Sequence, residues 1–307
     1  MSARRNCSCP PARLHGRGFT LIEVVVVIVL TGIVAGFAAL FLTAPMQSYV
    51  AQQHRATLVS GAELIERNLA EDVGAALPQS LRFANAGTAV ELLSVSDWVD
   101  YWGADTSNPA PTVPPGSGVT TLGFGAPASP FSTFGAFPNT APGSYPGVRL
   151  AIANPAVWAS GAASGAMSPA LTLTIAANPS PAVRYQGSAQ SASDTLSWGG
   201  SFTFPQPSPT RHLFLLSGPI SYLCDAVNAT LTRYSGYAVS PAQPTTAAQL
   251  LAAGARAALI ANGVSNCSFT ELAATASSGE VLITSLTLSV GSDSLAVFDQ
   301  VATAAAP

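Results

Sequence analysis

Residues 19–42 read FTLIEVVVVIVLTGIVAGFAALFL, 24 residues with a single charge, Glu23. As a helix this run spans about 36 Å, enough to cross a hydrocarbon layer roughly 30 Å thick. Its many valines are poor helix formers in water. In lipid every backbone amide must be satisfied within the segment, so helix is the outcome there. Thr31, Gly32, Ala35 and Gly36 place small residues at helical spacing, where a second helix can approach closely.

Charge is arranged around this run. Arg4, Arg5, Arg13 and Arg17 precede it, and residues 1–18 hold no acid. The other eight basic residues, all Arg, face 15 acids over residues 19–307. A basic flank marks the cytoplasmic side of a membrane segment. The acidic remainder lacks the basic stripe that nucleic-acid binding requires, so no nucleic-acid partner is expected. Only 9% of the 307 residues are charged, and Gly (26) and Pro (24) are abundant, which predicts long turn-rich loops and few ion pairs.

Pro45 is expected to kink or loosen the helix briefly. The pattern then resumes, with Leu58, Ala62, Ile65, Leu69, Val73 and Ala76 at steps of three and four. Glu63 and Arg67 form a supporting (i, i+4) pair, and Gly74 and Pro78 end the helix. Residues 43–78 thus read as an amphipathic continuation that lies against a sheet.

After Pro78 the chain becomes short β-like runs between Gly, Pro, Ser and Asn. Candidate strands are Ala89–Val95, Val148–Ile152, Leu171–Ile175, Phe202–Phe204, His212–Leu216, Ile220–Cys224, Leu231–Tyr237 and Val281–Val290. In the last, Leu282, Thr284, Leu286, Leu288 and Val290 share one parity, as in a half-buried strand. Turns at Ser217-Gly218-Pro219 and Asp225–Thr230 suggest a three-stranded meander. Ala247–Leu259 reads as a short helix. Residues 103–147, rich in Gly, Pro, Ser and Thr, read as a surface insertion outside the core.

The stretch Arg17-Gly18-Phe19-Thr20-Leu21-Ile22-Glu23 and the run GFTLIEVVVVIVLTGI resemble the processing site of type IV prepilins and type II secretion pseudopilins. The resemblance implies a leader over residues 1–18 and cleavage of the Gly18–Phe19 bond by a membrane prepilin peptidase. It implies N-methylation of Phe19 by the same enzyme, and a subunit-assembly role for Glu23. Physical chemistry is consistent with each role. Gly18 lets a peptidase groove admit extended backbone. Glu23 inside the apolar run costs roughly 2.5–3.5 kcal/mol at a membrane centre and less near the interface. The resemblance implies that a neighbouring subunit's new amino terminus, whose positive charge methylation preserves, offsets that cost. An uncleaved anchor explains the hydrophobicity and the Arg residues but not Gly-Phe followed by Glu. A secretory signal needs a small-x-small site after the apolar run, and Thr43-Ala44 beside Pro45 is a poor one.

Farther along, RHLFLLSGPISYLCDAVNATLTRYSGY and the later Ile260–Phe269 segment with Cys267 look like the MshO-type minor pilins of the mannose-sensitive haemagglutinin (MSHA) pilus system. J-type pseudopilins and PilW-like minor pilins are the nearest alternatives. What this implies is an α+β chain whose long N-terminal helix packs on an antiparallel β-sheet in residues 79–307. The expected location is the inner membrane, single-pass with the C-terminal domain periplasmic, and then a pilus or pseudopilus. The expected partners are the prepilin peptidase, other major and minor pilins, and an inner-membrane assembly platform.

Cys7 and Cys9 leave with the leader in this reading. Cys224 and Cys267 remain in an exported region where thiols oxidise, so a disulfide between them is expected. Two separate buried thiols are the alternative. Cys7-x-Cys9 alone does not make a zinc site. His15, His54 and His212 accompany no metal, phosphate-binding or nucleophile motif. Asp97 and Asp100, among Trp98, Tyr101 and Trp102, read as a loop packed on the sheet rather than a glycosidase pair. Those aromatics could instead contact another subunit. Asn228-Ala229-Thr230 reads as a turn. No catalytic residue, cofactor or metal ligand is assigned, and an enzyme is not expected.

Overall fold

A computed structural model describes residues 18–104, 118–154, 156–159, 163–178, 183–185, 188–190, 193–208, 210–272 and 279–303. The chain divides into two compact units, residues 1–53 and 54–307. Helix α1, Leu21–Gly74, contributes to both and is assigned as helix without a break through Pro45.

In the first unit the helix starts sharply. Thr20 precedes it, and its carbonyl and hydroxyl oxygens both accept from the Glu23 amide, at 3.0 and 3.4 Å. The Thr31 hydroxyl donates back to the Val27 carbonyl, which satisfies it inside the apolar stretch. Leu21–Ala39 is long and apolar enough to cross a membrane, and none of it is buried within the protein.

The second unit is built of strands on and beyond the last turns of α1. Strands β1 (Arg82–Ala84) and β2 (Ala89–Tyr101) follow the helix. Then come β3 (Phe131–Phe134), β4 (Gly143–Ala151), β5 (Leu171–Asn178), β6 (Val183–Tyr185), β7 (Ser188–Gln190) and β8 (Ser193–Trp198). Strands β9 (His212–Asp225) and β10 (Thr230–Ser235), helix α2 (Ala247–Ala252), and strands β11 (Arg256–Asn262), β12 (Val264–Leu272), β13 (Val281–Val290) and β14 (Asp293–Ala302) complete it. All pairings between these strands are antiparallel.

The two long strands β2 and β9 pair along their lengths, from Ala89↔Leu223 to Asp100↔His212, and serve two sheets. Their Ala89 and Leu223 ends belong to an open sheet in the order β1-β2-β9-β10-β11. Their other ends belong to a closed ring, β2-β3-β8-β5-β4-β9 and back to β2. Closure leaves no edge in that ring. Its interior is filled by Val99, Tyr101, Phe131, Leu150, Leu173, Ile175, Leu196 and Leu213.

The helix packs elsewhere. Leu58, Ala62, Ile65, Leu69, Val73 and Ala76, the stripe read from the sequence, are all buried. They meet Val90, Leu92, Ile220, Tyr222 and Leu231 of the open sheet, and Phe269, Leu282, Leu286 and Leu288 of a three-stranded sheet β12-β13-β14. Each fully buried Leu or Ile contributes roughly 2 kcal/mol, an upper figure because the unfolded chain already hides some apolar surface. Gly263 alone links β11 to β12. Its φ is +77°, and a Cβ there would lie 2.4 Å from the Ser289 carbonyl oxygen, so the corner between the two sheets admits only glycine.

The expected N-terminal helix followed by a β-rich domain is present, and five expectations need correction. Residues 103–147 are more than a surface insertion. They supply β3 and most of β4, with Leu122, Ala128, Phe131 and Phe137 buried in the ring. The Ser217-Gly218-Pro219 turn is absent: β9 runs straight through it as one strand, and Gly218 (φ +129°) lies opposite Ser94, beside irregular register in β2. Asp97–Tyr101 is strand rather than loop, and Phe202–Phe204 is not a strand beyond one bridge at Thr203. The expected helix over Ala247–Leu259 stops at Ala252, capped at its start by Thr246 and Gln249 reciprocally, and gives way to β11.

Candidate functional site

The residues singled out at the N-terminus lie together at the start of α1. Gly18 has open space where a Cβ would stand, and Phe19 is largely exposed. Arg4, Arg5, Arg13 and Arg17, with Cys7, Cys9 and His15, lie outside the described residues. Glu23 is exposed in the first helical turn, and its carboxylate has no partner among the described residues.

That position has an electrostatic consequence missed in the sequence. Thr20-x-x-Glu23 is the pattern of a helix N-terminal cap, and Thr20 performs half of it by accepting from the Glu23 amide. The unpaired amides of the first turn carry partial positive charge, which favours a carboxylate there by about 0.3–1 kcal/mol when exposed to water. Glu23 is therefore placed where its own helix favours a carboxylate.

Two polar contacts tie the C-terminal half of α1 to the sheets. Asp72 accepts from Arg233 Nε at 2.5 Å and Nη2 at 2.9 Å, and from the Tyr222 hydroxyl at 2.6 Å. Burial, then the adjacent carboxylate, push the Tyr222 hydroxyl's pKa upward. The hydrogen bonds to Asp72 hold the Arg233 guanidinium firmly protonated. No local pattern in the sequence links residues this far apart. The second tie is His54 Nδ1 to Asp293 at 3.2 Å, with the Gly291 turn close against the imidazole.

Cys224, on β9, and Cys267, on β12, are brought together between the open sheet and the three-stranded sheet, and both are free thiols in this structure. Their side chains interact as a hydrogen-bonded pair. That bond is the leading reason the Cys224 thiol's pKa is lowered, and it joins burial in raising that of Cys267. His212 pairs with Asp100 and packs edge-on against Trp98. Asp97 accepts from the Asn139 amide (2.9 Å) and the Thr140 hydroxyl (2.7 Å), so it braces a loop and is directed away from any partner carboxylate role. Among the described residues no group of three or more His, Cys, Asp or Glu side chains could hold a metal ion.

A family model described as the prokaryotic N-terminal methylation motif matches residues 13–39. No curated protein and no solved structure matches the chain. At its N-terminus the chain thus carries the methylation motif of type IV prepilin-like proteins, set on the start of a helix long and apolar enough to cross a membrane.

Proposed function

We propose that the chain is a minor pilin-like structural subunit that takes part in assembly or initiation of a type IV pilus of the MSHA type. A prepilin peptidase cleaves Gly18–Phe19 and methylates the amine of Phe19. The subunit waits in the inner membrane on its single apolar helix, with residues 79–307 in the periplasm. Glu23 then pairs with the amino terminus of a neighbouring pilin as the helix enters the filament. Cys224 and Cys267 oxidise to a disulfide after export.

The observation that carries this reading is the methylation motif at residues 13–39 running directly into α1. The apolar surface of Leu21–Ala39, none of it buried within the protein and with Glu23 as its single charge, supports packing among other helices. The contact between the two thiols supports the disulfide. A J-type pseudopilin of a type II secretion system shares the N-terminal chemistry. The run around Gly218-Pro219 and Cys224, which resembles that of MSHA-type minor pilins, favours the pilus subunit. Gly18→Glu tests the reading by placing a bulky charge at the scissile bond. The variant should accumulate with its leader attached and remain in the membrane fraction. Normal processing of that variant would contradict it.

A further inference from the structure

Cys224 is the last residue but one of β9, and the turn to β10 follows it. Its amide donates to the Thr88 carbonyl at 2.9 Å. Gly87, just before Thr88, lies against β12. A Cβ there would stand 2.8 Å from the Phe269 carbonyl oxygen and 3.4 Å from Ser268 Oγ. At the far side of the turn the Ala229 carbonyl accepts from the Val264 amide at 3.0 Å, where β12 begins. Backbone contacts on both sides thus hold the end of β9 against β12, whatever the state of the thiols.

The two thiols differ in access. Cys267 is buried in the core that α1 covers, opposite Leu286 of β13. Cys224 packs on the rim of that core and is only half-buried. Val227, three residues farther along, is almost fully exposed, so the turn beside Cys224 is open to solvent. Resting on the disulfide proposed above, we infer that Cys224 is the entry thiol, at which an external disulfide-bearing oxidant reacts, and that Cys267 is the resolving thiol, which reacts only with Cys224.

The Cys224 thiolate attacks one sulfur of the oxidant's disulfide, forming a mixed disulfide and releasing one thiolate. Cys267 passes its proton to that thiolate and attacks the Cys224 sulfur. The Cys224–Cys267 bond forms, and the oxidant's second sulfur leaves and takes the proton Cys224 had lost. Two electrons pass from the cysteine pair to the oxidant. The thiolate is the reactive form, and the bond between the thiols favours it at Cys224 and disfavours it at Cys267. The Asp225 carboxylate, fixed over the turn by the Val227 and Asn228 amides at 3.0 Å, repels an anionic oxidant and leaves a neutral one unhindered. Because Cys267 is reached only through Cys224, β12 has to be seated against β9 before the bond closes. The bond locks the docked sheets and does not guide them together.

The test uses the full chain in detergent micelles, with Cys7→Ser and Cys9→Ser so that this pair alone reports. The oxidant is hydroxyethyl disulfide, which is neutral, and products are followed by intact mass and peptide mapping. Cys267→Ser should hold a stable mixed disulfide on Cys224. Cys224→Ser should acquire its adduct at least about 10-fold more slowly while folded, and as fast as Cys267→Ser once unfolded in urea. Limited alkylation of the reduced pair with iodoacetamide needs neither variant, and should modify Cys224 at least about 10-fold faster than Cys267. Equal or faster reaction at Cys267 in the folded protein would overturn the assignment. Adduct formation at Cys224 with no Cys224–Cys267 bond following would contradict the disulfide itself, and with it the resolving role of Cys267.

Discussion

Asp72 is the residue through which α1 is tied most strongly to the open sheet, and Asp72→Ala is the sharpest test of that tie. Truncation leaves the Tyr222 hydroxyl, in a fully buried residue, without its acceptor. An unsatisfied buried hydroxyl costs about 1–3 kcal/mol. It also strips a two-point ion pair from Arg233. Breaking a fully buried pair costs about 3–5 kcal/mol. The Arg233 side chain is 25% exposed, however, so water recovers part of that loss. The total should be about 3 kcal/mol. For a domain of this size that lowers the unfolding midpoint by roughly 6–12 °C. Urea unfolding of the full chain in detergent micelles, followed by tryptophan fluorescence, measures it. A double-mutant cycle with Arg233→Met should show a coupling of about 1.5 kcal/mol or more, because Arg233→Met removes the charge that Asp72→Ala strands. An Asp72→Ala loss under about 0.5 kcal/mol, or an additive cycle, would refute the reasoning.

Glu23→Val should leave membrane insertion intact or improve it, while lowering co-purification with the other pilins; undiminished co-purification would show that Glu23 serves only its own helix. Mass spectrometry of unreduced, periplasm-folded protein should yield a Cys224–Cys267 cross-linked peptide, and two freely alkylatable thiols would show the expectation wrong. The bond closes a loop of about 43 residues, worth roughly 4 kcal/mol in the chain-entropy model, so the double Ser variant should be correspondingly easier to unfold.

The helical part of this fold is legible because its determinants are local. The stripe from Leu58 to Ala76 repeats at helical spacing, and every member is buried. The parity of Leu282, Thr284, Leu286 and Leu288 likewise identifies the inner face of β13. The ring is not legible, because its closure depends on partners far apart, such as Phe131 opposite Leu196. Four-residue β3 has too few positions to show a period. Ser217-Gly218-Pro219 misled for the opposite reason. Its turn chemistry is real, but β2 and β4 both flank β9, and the ladder absorbs the irregularity in the register of β2 between Ser94 and Asp97. At the N-terminus, Gly18, Phe19 and Glu23 were found from a motif. The cap made by Thr20 is equally legible in Thr20-x-x-Glu23. The Asp72 clamp joins α1 to Tyr222, 150 positions away, which no sequence window spans.

The central claim is that the chain enters an assembly by its processed N-terminus. Intact-mass and N-terminal sequencing of the protein recovered from the assembled fraction tests it most directly. The account predicts a chain beginning at Phe19 with a methylated amine and lacking residues 1–18. Recovery of assembled protein with the leader still attached, or with an unmethylated terminus at any other residue, would contradict it.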